Sequence, residues 1–144
     1  LNSPFTFAVE INASSETLSS VNYILCFDET GSTVASSCLV RESGVTFLFR
    51  YADNTNTDNL RFTVTNNKVQ TIAVVFDGVN LIAYSDGVEL SRVSGVTANP
   101  ISDTSSSVFI GRAIDSATSQ YPSTYANLRV WDKAFNEYEV NYIS

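Results

Sequence analysis

The most oxygen-rich stretch of the chain is ADNTNTDN, Ala52 to Asn59. It places Asp53, Asn54, Asn56, Asp58 and Asn59 in one short segment. Calcium takes several oxygen ligands at flexible positions, which makes Asp53, Asn56 and Asp58 candidate ligands. The EF-hand order is absent, with no Gly at the sixth position and no Glu at the twelfth. Asn, Asp and Thr also build ordinary turns, and that reading stands beside the metal. A second candidate is SQYPSTY, Ser119 to Tyr125, a long polar loop with two tyrosines and a stiffening proline. Aromatic rings stack on sugar faces, and loops on a rigid scaffold concentrate binding residues. Tyr121 and Tyr125 are therefore expected ligand contacts, together with Tyr51 and Asn54 beside and within the acidic loop. The alternative for the two loop tyrosines is that they cover the edge of the fold.

Catalytic arrangements are scarce. The chain has no His, which removes His-based triads and the commonest general base. Retaining glycoside hydrolysis needs two carboxylates about 5 Å apart, and on a strand this reads as Glu-x-Asp-x-x-Glu or similar. No such pattern occurs. Glu137 and Glu139 are spaced by two on an expected helix, where such residues point to different faces. Asp28-Glu29 falls at a turn. The expectation is a domain without enzymatic activity. Two cysteines, Cys26 and Cys38, are too few for a disulfide scaffold or a zinc site. They flank a turn region almost symmetrically, so a cross-hairpin disulfide and a pair of free buried thiols are both open.

The elements that must position these residues are strands. PFTFAVEI places Phe5, Phe7, Val9 and Ile11 on one face and Thr6, Ala8 and Glu10 on the other. VNYILCFD alternates Val21, Tyr23, Leu25 and Phe27, GVTFLFRY alternates Val45, Phe47, Phe49 and Tyr51, and LRFTV alternates Leu60, Phe62 and Val64. Period-two alternation of aromatic and β-branched residues marks half-buried antiparallel strands. Ala52 to Asn59 and other polar clusters separate them, a spacing that argues for a β-sandwich or barrel. In VVFDGVNLIAYSDGVEL, Asp77-Gly78 and Asp86-Gly87 are hairpin signals, and they predict a three-stranded meander with both aspartates as turn residues. Only the tail reads as helix: Asn136 is a cap, Glu139 completes a capping box, and Phe135 precedes the cap.

Length and composition agree with one domain over residues 1–144. Hydrophobic residues make up 44% and charged residues only 16%. Ser, Thr and Asn supply roughly a third, a hydroxyl-rich surface common outside cells. The formal net charge is −7, and the eight Lys and Arg are scattered singly. Nucleic acid needs clustered cations, so it is not an expected partner. No apolar run approaches the ~20 residues of a membrane helix, so membrane insertion is not expected. The start at Leu1 and the absence of Met are what a segment of a longer secreted or surface-displayed polypeptide would show. Asn12-Ala13-Ser14 is a glycosylation sequon of a kind frequent by chance in Ser-rich chains.

Four stretches carry a resemblance. TIAVVFDGVNLIAYSDGVEL resembles the central meander of laminin-G-like and pentraxin-like domains. VFIGR, Val108 to Arg112, is similar to a later strand of that superfamily, and YANLRVWDKAFNEYEV resembles its closing strand and short helix. PFTFAVEI resembles its early Phe-Thr strand. The resemblance spans Phe5 to Val140 and implies an all-β, antiparallel β-sandwich, the concanavalin A-like jelly roll, with a short C-terminal helix. It implies a binding or adhesion module for glycans, glycoconjugates or a surface protein, with calcium near the rim and Asp115 as a further candidate ligand there; some relatives are glycoside hydrolases, and it is the missing carboxylate pattern that makes the expectation here non-catalytic. It also implies that Trp131 packs into the core. The expected location is extracellular, on a cell or virion surface. The alternative is a structural or decoration domain of a virion, fibre or surface assembly, acting by protein–protein packing. The family has a strand or two before the Phe-Thr strand. An open sheet edge there would need a neighbouring domain or subunit to cover it.

Overall fold

The computed structural model describes residues 4–13, 22–28, 36–52, 56–98, 107–110 and 125–144. These form ten strands and one helix: β1 (Phe5–Ala13), β2 (Asn22–Asp28), β3 (Ser36–Ser43), β4 (Thr46–Ala52), β5 (Thr57–Thr63), β6 (Lys68–Phe76), β7 (Asn80–Ser85), β8 (Val88–Ser94), β9 (Ser107–Ile110), β10 (Tyr125–Trp131) and α1 (Glu137–Ile143). The strands make two five-stranded antiparallel sheets. Sheet A has the order β10-β1-β6-β7-β8 and sheet B the order β5-β4-β3-β2-β9.

The alternating residues face inward between the sheets. Phe5, Phe7, Val9 and Ile11 of β1 meet Phe47, Phe49 and Tyr51 of β4 and Leu60 and Phe62 of β5. The ring centroids of Phe7 and Phe49 are 5.2 Å apart, and those of Tyr51 and Phe76 are 5.1 Å apart. Phe7, Phe47 and Phe49 have no exposed surface, and each such side chain contributes roughly 1.5–3 kcal/mol by leaving water. Among the described residues the largest fully buried side chain belongs to Arg41. Its Nε donates to the Gly44 carbonyl where the β3–β4 hairpin turns.

The two Asp-Gly pairs do build the β6-β7-β8 meander, by different turns. Asp86 and Gly87 both have positive φ, 46° and 78°, as a type I′ turn requires. The Asp86 carboxylate accepts from Thr71 N–H at 2.8 Å and Lys68 Nζ at 2.5 Å. At Asp77-Gly78 only the glycine is positive, at 100°. There Asp77 Oδ1 accepts from the backbone N–H groups of Val79 and Asn80, at 2.8 and 2.7 Å.

Strands β6 and β7 are apolar on both sides, and a strand buried on both faces needs a second layer. Ala73, Val75, Ile82 and Tyr84 point away from the inter-sheet core and are covered by α1, chiefly through Val140, with Phe135 and Ile143 beside it. Seven residues are too few for a stable isolated helix, so packing and capping hold it. The Asn136 side chain accepts from Glu139 N–H at 3.0 Å, and the Glu139 carboxylate accepts from Asn136 N–H at 2.9 Å. Thr6 of β1, fully buried, ties the approach to the helix: its hydroxyl donates to the Lys133 carbonyl at 2.7 Å and accepts from Phe135 N–H at 2.9 Å.

Four expectations are corrected. Tyr23 and Leu25 do not share a face, because a register shift lies between them. The bulge turns Leu25 inward and leaves Tyr23 against Cys26 and Val40 outside. Trp131 is not in the inter-sheet core. It pairs with Thr6, whose side chain faces outward, and it packs half-buried against Phe135 at 4.7 Å under the helix. The Phe-Thr strand is not a sheet edge, since β10 and β6 flank β1 on either side. The edges of that sheet are β10 and β8. Finally, Asp58 and Asn59 lie within β5 and not in a loop.

Candidate functional site

Of the expected site residues that are described, Tyr51, Asn56 and Asp58 lie at one end of the sandwich and Tyr125 at the other. Asp53, Asn54, Asp115 and Tyr121 lie outside the described residues. Asp58 sits at the end of the sandwich where β5 begins. Its Oδ2 accepts from the backbone N–H groups of Thr97 and Ala98 at 2.8 and 2.7 Å. That carboxylate oxygen pins the chain after β8, and two amide donors aimed at it disfavour a cation in the same place. Asn56 is one residue before β5 at the same end. Among the described residues no three His, Cys, Asp or Glu side chains converge as a metal site would need. Tyr51 is a correction: it is 1% exposed, and its ring is packed among Phe5, Phe49 and Phe76. No ring face is left for a ligand. Tyr125 pairs with Ile11 at the opposite end of the sandwich and leans half-buried on the inter-sheet core.

Cys26 and Cys38 stand directly opposite in the β2–β3 ladder, with Cα atoms 4.2 Å apart, and are joined as a disulfide. The bond lies on the outer face of sheet B, buried with Val40, and Tyr23 and Leu48 pack against that cluster.

That outer face is where polar side chains converge. Strands β4 and β5 send Phe47, Phe49, Leu60 and Phe62 inward, so Leu48, Arg50, Asn59 and Arg61 face outward. The register sets Arg50 opposite Asn59 and Leu48 opposite Arg61. The two arginines are thus diagonal neighbours on adjacent strands, a relation that spans roughly 7–8 Å. Glu42 of β3 takes Arg61 in a bidentate pair, with Nε at 2.5 Å and Nη2 at 2.8 Å. The hydrogen bond from Arg61 holds the Glu42 carboxyl below its ordinary range, against a smaller opposing effect of burial, and raises the Arg61 guanidinium in turn. The pair is partly exposed, so it contributes little to stability. Its consequence is geometric: two of five guanidinium N–H donors are occupied, and the rest are fixed in direction.

The result is a patch with the exposed Arg61 guanidinium, the half-buried Arg50, whose Nε is shielded from solvent, an amide at Asn59, and apolar surface from Leu48 and Tyr23. Sequence reading missed Arg50, Arg61 and Glu42 because it followed the apolar face of each strand. The signal was present in the complementary positions of FLFRY and NLRFT. Which of them meet depends on cross-strand register, which the sequence does not state.

Known proteins share the fold. The family model Laminin_G_3, described as the concanavalin A-like lectin/glucanases superfamily, matches residues 1–141. No curated protein matches the chain in sequence. Among solved structures, the Ruminococcus gnavus IT-sialidase CBM40 bound to α2,3-sialyllactose is similar, with a TM-score of 0.76 at 15% identity over 98% of this chain and 82% of that one. A heptameric SAP-like pentraxin from Limulus polyphemus gives 0.72 at 15% identity, over 96% and 68%. A Trypanosoma rangeli sialidase gives 0.70 at 17% identity, over 97% of this chain but only 22% of that one. Much of that enzyme therefore lies outside the similarity, and identities this low speak to fold alone. With the family match spanning nearly the whole sequence, the chain belongs to the concanavalin A-like lectin/glucanase superfamily.

Proposed function

We propose that this domain is a non-catalytic carbohydrate-binding module that takes an acidic glycan on the outer face of sheet B. The observation that carries the reading is the diagonal pair Arg50 and Arg61 on adjacent strands, with Glu42 orienting one of them. A guanidinium matches a carboxylate with two parallel N–H donors, as a sialic acid presents. Asn59 has both amide donors and an acceptor for sugar hydroxyls, and Leu48 and Tyr23 offer apolar surface to ring C–H groups. The solved structures named with sialylated ligands, the CBM40 and a botulinum neurotoxin binding domain in complex with SialylT, support the ligand class. The absence of a paired-carboxylate pattern from the sequence supports binding without turnover. The disulfide supports an oxidising, extracellular setting.

The test is a broad glycan array with the wild-type domain and with Arg50→Ala and Arg61→Ala. Sialylated glycans are expected to dominate the wild-type signal and to fade in both variants. Repeating the array in a chelator tests calcium at Asp53, Asn56, Asp58 and Asp115: binding that survives removes the metal from the reading. No binding under either condition would transfer the domain to a packing role in a larger assembly.

A further inference from the structure

The helix α1 shows solvent an aromatic face with no part in holding the fold. Val140 is fully buried against sheet A, whereas Tyr138 and Tyr142 are 87% and 91% exposed. Spaced by four, the two tyrosines are neighbours on one helix face. With Phe135, Glu139 and Ile143 they line an open, almost wholly apolar groove of about 300 Å³. This face is on the opposite side of the sandwich from Arg50 and Arg61, because α1 covers the outer face of sheet A.

We propose that this face is a second carbohydrate platform, on which Tyr138 and Tyr142 stack against the apolar face of a neutral oligosaccharide. Size favours such an occupant over a protein. Two tyrosines supply roughly 300–500 Å² of contact, well short of the roughly 800 Å² per partner in a stable protein interface. The groove lies at the small end of the range for compact ligands. Charge favours a neutral sugar over an acidic one. The one ionised group lining the groove, Glu139, is already paired with Lys133, and the guanidinium of Arg129 nearby is engaged at the Ile143 carbonyl at 3.0 Å. A tyrosine suits the task because it offers a flat apolar body and a polar tip at low entropic cost. This site stands independently of the arginine face.

The test is aromatic NMR of the domain titrated with two neutral probes, cellotetraose and lacto-N-tetraose. At least one probe is expected to shift the Tyr138 and Tyr142 ring resonances saturably. The double variant Tyr138→Ala, Tyr142→Ala should weaken that binding about tenfold or more, with its thermal midpoint unchanged. The Tyr→Phe pair should keep the binding, and so should Arg50→Ala. Failure of both probes at millimolar concentration would overturn the proposal. So would binding that persists in the double Ala variant, or self-association of the wild type that the variant abolishes. Loss of sialyllactose binding alone would bear only on the arginine face.

Discussion

Gly87 holds the tightest backbone approach in the meander, and replacing it separates two costs that usually come together. Its φ is +78°, where an L side chain is strained. A Cβ there would also lie 1.8 Å from Asn141 Oδ1, 2.7 Å from its Cγ and 3.2 Å from its Cα. The amide can swing aside, but the Cα belongs to α1, so the helix must shift on sheet A. Gly95 is the internal control, with φ +69° and nothing within 4 Å of an added Cβ. Gly95→Ala should cost only the conformational strain, about 1–2 kcal/mol. Gly87→Ala adds overpacking and should cost about 2–4 kcal/mol in all. At this chain length each kcal/mol corresponds to roughly 2–4 °C in melting temperature. Urea unfolding followed by the single tryptophan is a suitable assay, because Trp131 packs against Phe135 beside the helix. Asn141→Ala in the Gly87→Ala background should recover part of the excess. Equal destabilisation by Gly87→Ala and Gly95→Ala, within about 0.5 kcal/mol, would refute the view that α1 is seated on this turn.

Thr6→Val keeps the shape of a buried side chain but deletes the hydroxyl that serves Lys133 and Phe135. It should cost about 1–3 kcal/mol and loosen α1, seen as faster amide exchange from residue 135 onward. Cys26→Ser with Cys38→Ser opens a short loop of sequence separation 12 and should cost about 2–4 kcal/mol in chemical denaturation, with no gain of cysteine-dependent oligomers in the wild type. The two turn aspartates set an acid limit. Burial pushes the carboxyls of Asp77 and Asp86 up, but hydrogen bonds outweigh it: from Asn80 and Val79 with the Arg92 charge at Asp77, and from Lys68 and Thr71 with the Lys68 charge at Asp86. Both lie below the ordinary value of 3.8. A carboxyl depressed in the folded state stabilises fully above its unfolded value and loses that contribution as pH falls through the folded one. Stability should therefore decline below about pH 4, and Asp77→Asn with Asp86→Asn should flatten the decline. An unchanged acid limb in the double variant would contradict it.

Much of the fold was legible because its signals are local. Alternation in PFTFAVEI and GVTFLFRY put the inter-sheet core in the right places. The Asp-Gly pairs marked both turns of the meander, and Asn136 with Glu139 marked the helix start. The misreadings came where a neighbour decides. A bulge between Tyr23 and Leu25 reverses a face that strict alternation keeps, and only pairing with Thr6 shows that Trp131 looks outward. The double-sided apolar character of TIAVVF and LIAY was itself a sign that a second layer covers that sheet. The arginine face was hidden for a related reason. Arg50 and Arg61 are eleven positions apart in a chain with few charges, and nothing short of the β4–β5 register brings them together. Tyr51 shows the converse: its place in the alternating set pointed to the core, and that position outweighs its closeness to an oxygen-rich loop.

The most direct measurement is titration calorimetry of the wild-type domain with α2,3-sialyllactose and, in parallel, lactose. With the Tyr138→Ala, Tyr142→Ala domain run alongside to remove the neutral-sugar platform, that variant should bind sialyllactose saturably and lactose not at all, and sialyllactose binding should weaken about tenfold or more with Arg50→Ala or Arg61→Ala and less with Glu42→Gln, which frees the Arg61 side chain to wander. Equal binding of lactose and sialyllactose by the tyrosine variant, or sialyllactose binding untouched by both arginine variants, would contradict the account.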